Sequence, residues 1–445
     1  MASVHVIGAG LAGLNCALRL AEQGAAVHLY EATGHAGGRC RSYFDPQLER
    51  WIDNGNHLIF SGNSAARDFL QAIGAPDSMI DPGQPLFPFL DLKSGRRWTV
   101  RPNEGRLPWW VAVSDRRIPG TRMRDYLALT RFARARAKAT VTDVVAPSHP
   151  LFRTLIEPFA VAVLNATAQE GAARLLWPVI RESFGRGGRA CRPLIARDGL
   201  SMSLVDPAIQ RLQELGVALQ FVHRLRELAF RGHQVTALSF IGHDVPVAED
   251  DAVVLAVPHR MAALLVPDLA VPKGSRAIVN AHYRLPQPVP LRDGLSFLAL
   301  LGGTAHWLFF RGDIVSATVS AADDLIDLPA EEIAARIWAD VARAVEVPAT
   351  PMPAWRIVKE KTATFAQIPA QVGRRPAART AYRNLFLAGD WTDTGLPATI
   401  EGALRSGLTA AKLALAAPGR NTVTISAQRP AARPSEPTLT RKAFP

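Results

Sequence analysis

The side chains able to do chemistry fall in three stretches of this 445-residue chain. The first is Gly8-Ala9-Gly10-Leu11-Ala12-Gly13, then Glu31-Ala32, then Gly37-Gly38-Arg39. Glycines at this spacing let backbone approach a pyrophosphate. Gly8 allows a tight turn, Gly10 has no side chain to hold the anion off, and Gly13 lets the next helix pack closely. Glu31 is placed to accept hydrogen bonds from ribose hydroxyls, and Arg39 can offer a two-pronged fork to a diphosphate. The second stretch, Trp51 to His57, carries Asn54, Gly55, Asn56 and His57. His57 reads either as an acid–base group or as a turn residue satisfied by backbone, and geometry decides between them. The third is Gly389-Asp390 followed by Thr399-Ile400-Glu401. Glycine there permits a close approach, and a helix starting near Thr399 presents its positive dipole end to an anion. Glu401 reads as a second acid or as a helix cap.

The elements that must position these groups are visible as pattern. An apolar run, Val4 to Ile7, precedes the glycines. A helical pattern runs from about Leu11 to Gln23 and ends at Gly24, and a second apolar run, Ala26 to Tyr30, delivers Glu31. Strand, turn, helix and strand make the unit that binds a dinucleotide at a helix N-terminus. Residues 63–75 read as a helix, 85–100 as strands and 122–138 as a basic helix. Residues 151–185 are helical and apolar, interrupted by Pro158 and Pro178, and form either a pocket wall or plain core. A helix is expected at 204–215 and strands at 217–221, 225–230 and 234–240, with a buried strand ending in a turn at 250–258. Strands at 277–285, 295–301, 305–310 and 314–320 then lead to a helix at 330–345. Tyr283, Trp307 and Phe309 are the candidates in these strands to face a substrate pocket, although strand aromatics also build cores.

Composition narrows the class. Apolar residues make up 48% and charged residues 20%, as in a soluble globular protein of two or three domains. No apolar run is long enough to span a bilayer, and no secretory signal precedes the glycine strand. Three cysteines without metal spacing predict no metal site and a reducing, cytoplasmic setting. The net charge of +12 favours anionic partners. No nucleic-acid module accompanies it, so nucleic acid is not expected. Trp109-Trp110 beside the basic segment 122–138 suits peripheral contact with an anionic membrane; the competing reading is a helix with a solvated basic face and a core-facing apolar face.

Four segments together carry a family resemblance: VHVIGAGLAGL…YEATGHAGGRCRS, WIDNGNH, LNATAQEGAARLLW and LAGDWTDTGLPATIEGALRSG. They resemble the hydroxysqualene dehydroxylases, squalene-associated FAD-dependent proteins related to phytoene desaturases and FAD amine oxidases. The resemblance runs from Val4 to about Ala417. It implies an α/β fold: a Rossmann-type FAD-binding domain with a discontinuous α+β substrate domain. The FAD-binding part would comprise residues 1–75, 195–260 and 380–417, and the substrate part residues 76–194 and 261–379. Residues 418–445, rich in proline, serine and arginine, are expected to be a disordered tail. The resemblance assigns Asp390 to the ribityl and phosphate region, Thr399 and Ile400 to the flavin ring edge, and the Leu225 strand to the adenine. It implies an isoprenoid substrate and a reductive reaction, in which hydride from reduced FAD replaces an allylic hydroxyl. His57 is the first candidate for the acid and Glu401 the second; the electron donor is left open. An oxidative carotenoid desaturase, an amine oxidase and a non-catalytic lipid-binding flavoprotein are the rival readings. The sequence departs from the family at Ala196–Ser201, where proline is expected before the arginine, which leaves the packing there open.

Overall fold

The computed structural model describes residues 2–289 and 295–417. The expected tail, 418–445, lies outside the described residues. Among those described, no helix is long and apolar enough to cross a membrane.

Two sheets organise the chain. The first is parallel and five-stranded, with β1 (Ser3–Ile7) at its centre. β2 (Ala26–Tyr30) flanks it on one side and Ala252–Leu255 on the other, with Ala218–Gln220 and Leu385–Leu387 at the edges. Val4, Val6, Val253 and Leu387 are fully buried, as strands covered on both faces require. The strands come from three distant parts of the chain. Helix α1 (Leu11–Ala21) and the C-terminal helix Ile400–Leu415 cover one face and lie against each other. A Cβ on Gly407 would come within 2.2 Å of Ala12 O, so the small residue sets their approach.

The second sheet has seven strands, in the order 354–365, 275–284, 314–319, 307–311, 297–301, 87–91, 97–100. Only the pairing of 297–301 with 87–91 is parallel. Its two faces differ. Val279, Ala281, Tyr283, Leu298, Leu308, Val315 and Ala317 pack under the amphipathic helix Ala330–Val345. Tyr283 is fully buried there, and its hydroxyl donates to Ala334 O at 2.7 Å. This corrects its expected place in the pocket. Alternation along the strand sends Asn280 and His282 to the other face and Tyr283 to the helix.

Two further differences follow from packing. The basic segment forms a 3₁₀ helix, Met123–Arg134, and buries Tyr126, Ala128 and Phe132 rather than Met123 and Leu127. Leu225 precedes its strand, Glu227–Arg231, instead of starting it. The segment that departs from the family is well held: Arg197 N donates to Ser78 O at 3.0 Å and Leu200 N to Asp53 Oδ1 at 2.9 Å.

Candidate active site

The glycine turn is shaped by what each added carbon would meet. A Cβ on Gly13 would stand 1.8 Å from Gly8 O, so only glycine lets α1 begin this close to β1. A Cβ on Gly10 would meet nothing within 4 Å. Open space therefore lies beside a helix start whose N–H groups point outward, which is what a diphosphate needs. Gly37 N donates to Ala9 O at 2.8 Å and lays Gly38-Arg39 against this turn. Glu31 is fixed at the end of β2, accepting from Ala9 N and from Thr33 N and Oγ1, each at 2.9 Å. His223 N donates to Glu31 O at 2.8 Å, so the loop carrying Leu225 passes the same end. Leu225 is buried, and its main chain makes no hydrogen bond with another described residue.

The far end of the sequence returns to this place. Arg39 Nη2 lies 2.7 Å from Asp390 Oδ2, while its Nη1 donates to Ala363 O. Gly389 N donates to Ser406 Oγ at 2.8 Å, and Thr399 Oγ1 accepts from Gly402 N at 3.1 Å as the cap of the C-terminal helix. That helix starts at Ile400. Below the turn lies Arg375, a residue the sequence reading missed. Its guanidinium is buried and donates to Leu396 O at 2.7 Å, Asp390 O at 3.0 Å, Thr394 Oγ1 at 3.1 Å and Thr392 O. Burial lowers its pKa to about 10. Gln367 acts similarly. It accepts from Ala398 N at 2.8 Å and donates to Leu164 O at 2.7 Å, tying the loop to the LNATAQEGA segment. Nothing in the local spacing marks these two, because every partner is remote or main-chain.

The second sheet's free face supplies the rest. Cross-strand rows run Ala299–Trp307–Thr318–Asn280 and Phe297–Phe309–Ser316–His282, apolar at one side and polar at the other. Asn56 Nδ2 donates to Thr318 Oγ1 at 3.0 Å, and Asn280 Nδ2 donates to Asn54 O at 3.2 Å. The Asn54-to-His57 turn thus sits on the polar side. His57 is partly accessible yet deep; burial and the Arg39 guanidinium, against a smaller opposing effect of Asp53, push its pKa down to about 4. From the apolar side a chain of rings extends outward. Trp307 and Phe297 centroids are 6.2 Å apart, Phe297 and Phe87 6.4 Å, Phe87 and Phe184 5.5 Å, and Phe184 and Phe159 6.4 Å. Phe60, three residues past His57, joins this chain 6.2 Å from Phe87. Of these rings the sequence singled out only Trp307; Phe309 is its same-face neighbour.

Glu401 is no part of this assembly. Its carboxylate accepts from Ala65 N at 3.1 Å, Ala66 N at 2.9 Å and Arg405 Nε at 2.8 Å. It caps the helix α2 (Ser64–Ala72) from across the molecule, which corrects its candidacy as an acid.

A family profile described as flavin containing amine oxidoreductase matches residues 11–415. The hydroxysqualene dehydroxylase of Rhodopseudomonas palustris is 48% identical, covering 93% of this chain and 99% of its own. That of Sinorhizobium fredii is 46% identical, covering 93% and 98%. Among solved structures, cyclohexylamine oxidase from Brevibacterium oxydans superposes with a TM-score of 0.68 at 15% identity, covering 93% and 98%. That likeness bears on the fold alone. The open glycine cradle, Glu31 and the Arg39–Asp390 pair fit the cofactor of this family, which is FAD. The chain belongs to the flavin containing amine oxidoreductases, in the branch of the hydroxysqualene dehydroxylases.

Proposed function

We propose that this protein converts hydroxysqualene to squalene, removing the allylic hydroxyl as water. FAD, bound in its two-electron-reduced form, would supply both the hydride that takes the place of the hydroxyl and the proton that completes the departing water, so that hydroxysqualene and FADH2 give squalene, water and FAD. The Gly8–Gly13 turn, Arg39 and Asp390 would hold its diphosphate and ribityl region, Glu31 and Leu225 its adenosine, and the Thr399–Ile400 helix start its ring edge. The observation that carries the reading is the graded sheet face. A polar nest of Asn56, His57, Asn280 and Thr318 adjoins a lane of rings from Trp307 to Phe159. The lane excludes water from an apolar polyprenyl chain, and ring faces stabilise positive charge at an allylic carbon. At neutral pH His57 carries no spare proton, so its part is to donate a hydrogen bond to the departing hydroxyl. Peripheral contact with an anionic membrane accompanies this reading, because the substrate partitions into lipid.

Anaerobic mixing of the reduced protein with hydroxysqualene tests it. Flavin absorbance should return to the oxidised spectrum as squalene accumulates. Reduced flavin that persists, with no squalene formed, overturns the proposal. Bleaching of oxidised flavin by a phytoene-type polyene would favour a desaturase instead.

A further inference from the structure

Residues 101–138 carry ten cationic side chains against three acidic ones, a net of +7 out of +12 for the whole chain. This charge surrounds an exposed apolar patch. Leu107 is 77% exposed, Trp109 48%, Met123 59% and Leu127 67%. The two parts of the patch are locked into one lobe. Tyr126 hydroxyl accepts from Ile118 N at 2.9 Å, the Trp110 and Tyr126 rings meet edge to face at 5.1 Å, and Arg117 Nε donates to Thr121 O at 2.9 Å. Arg116 lies over the outward Trp109 ring at 4.7 Å. Arg122, Arg124, Arg131, Arg134 and Arg136 are all exposed around it. The inner side of the same lobe, through Trp110, Tyr126 and Phe132, packs into the core cluster that holds Phe87 and Phe297 of the ring lane.

We propose that the outer face of this lobe docks on an anionic lipid bilayer, with Leu107, Trp109, Met123 and Leu127 entering the interface and the arginines meeting lipid phosphates. Large apolar side chains held outward by a rigid lobe gain nothing in water but gain at a lipid interface, where tryptophan is favoured and cations find counter-charge. An acidic protein partner would also meet the charge. A bilayer accounts in addition for the lobe's backing onto the ring lane, since a polyprenyl substrate could pass inward without crossing water. That last point rests on the proposed activity, whereas the docking itself does not.

The test uses FAD-loaded protein in flotation with phosphatidylcholine vesicles, with and without phosphatidylglycerol. Wild type should float with the anionic vesicles, with binding at least about tenfold weaker without phosphatidylglycerol or in high salt. The Leu107→Ser, Trp109→Ser, Met123→Ser, Leu127→Ser variant should lose flotation, and the Arg122→Gln, Arg124→Gln, Arg131→Gln variant should lose its preference for phosphatidylglycerol. Both should keep wild-type FAD content and wild-type turnover of detergent-dispersed hydroxysqualene. Absence of wild-type flotation, or flotation undiminished in both variants, overturns the proposal; the first result together with capture of a soluble acidic electron carrier would assign the lobe to a protein instead. Failure of the activity would show separately, as missing turnover in detergent with flotation intact.

Discussion

The Arg39 guanidinium and the Asp390 carboxylate are 351 positions apart in the chain and 2.7 Å apart in space. Their pairing brings a guanidinium and a carboxylate from the two ends of the chain to one spot near His57, whose pKa the guanidinium helps to lower. The low pKa of His57 decides its chemistry. A group near 4 is neutral at pH 7 and can offer an N–H but no extra proton. His57→Gln, which keeps an N–H donor, should therefore retain most turnover. His57→Ala should lose about tenfold or more in kcat, the worth of one hydrogen bond in a dry site. Both should bind FAD normally, and a Gln variant as slow as the Ala variant would argue for proton transfer after all. His282 gives a second test. It is fully buried, with burial pushing its pKa down to about 4 from an ordinary 6.5. The native state then binds fewer protons than the unfolded state between those values, so stability falls as pH drops from 6.5 towards 4. His282→Asn should reduce that slope by about 1.4 kcal/mol per pH unit, measured by denaturant unfolding across a pH series. An unchanged slope would place the proton uptake elsewhere.

At the scale of elements, the glycine turn separates packing from binding. Gly13 and Gly10 belong to one motif, and their surroundings differ as the roles expected of them do. Gly13→Ala drives a carbon into Gly8 O and must part α1 from β1, at a cost of about 1–3 kcal/mol. Gly10→Ala meets no protein atom, so the protein without FAD should keep its stability within about 0.5 kcal/mol while FAD affinity collapses. Thermal unfolding of stripped protein and titration with FAD would distinguish the two; equal destabilisation by both would mean that Gly10 faces protein, not cofactor. This difference explains what the sequence could reveal. Glycine spacing, strand runs and the acid after β2 are local signals, and they located the turn. Which face of a strand becomes the pocket is not local. Tyr283 and Trp307 are both strand aromatics; the helix Ala330–Val345 covers the face that carries Tyr283, while Trp307 lies half-buried on the other face. Glu401 was ambiguous for the same reason, since the helix it caps lies more than 300 residues away in the chain.

Across the whole molecule, the parallel sheet and the seven-stranded sheet share one core cluster, which holds Ile7, Val253 and Leu387 with Phe87 and Phe297, and short polar side chains add a second link. Asn54 and Asn56 on one side meet Asn280 and Thr318 on the other, Asp53 Oδ2 pairs with Arg311 at 2.8 Å, and Arg50 with Asp313 at 2.8 Å. Asp53 is buried and also accepts from Ser42 Oγ and Leu200 N, so removing Arg311 leaves a buried carboxylate with two hydrogen bonds but without its ion-pair partner. FAD should add to this coupling, because its proposed ligands are drawn from three distant chain segments joined in the one parallel sheet. A ligand at about a hundred times its dissociation constant stabilises the folded state by about 2.7 kcal/mol. Heating the loaded protein should therefore release flavin and expose tryptophan in one transition, whose midpoint rises with added FAD. In Arg311→Ala, where the link through Asp53 is lost, the transitions should separate, with tryptophans of the pocket sheet such as Trp307 reporting first. Flavin and tryptophan fluorescence recorded in the same scan would show this. Coincident transitions in the variant would mean that the two sheets are held together by packing alone, and that the half-buried Asp53–Arg311 ion pair fixes geometry without fixing cooperativity.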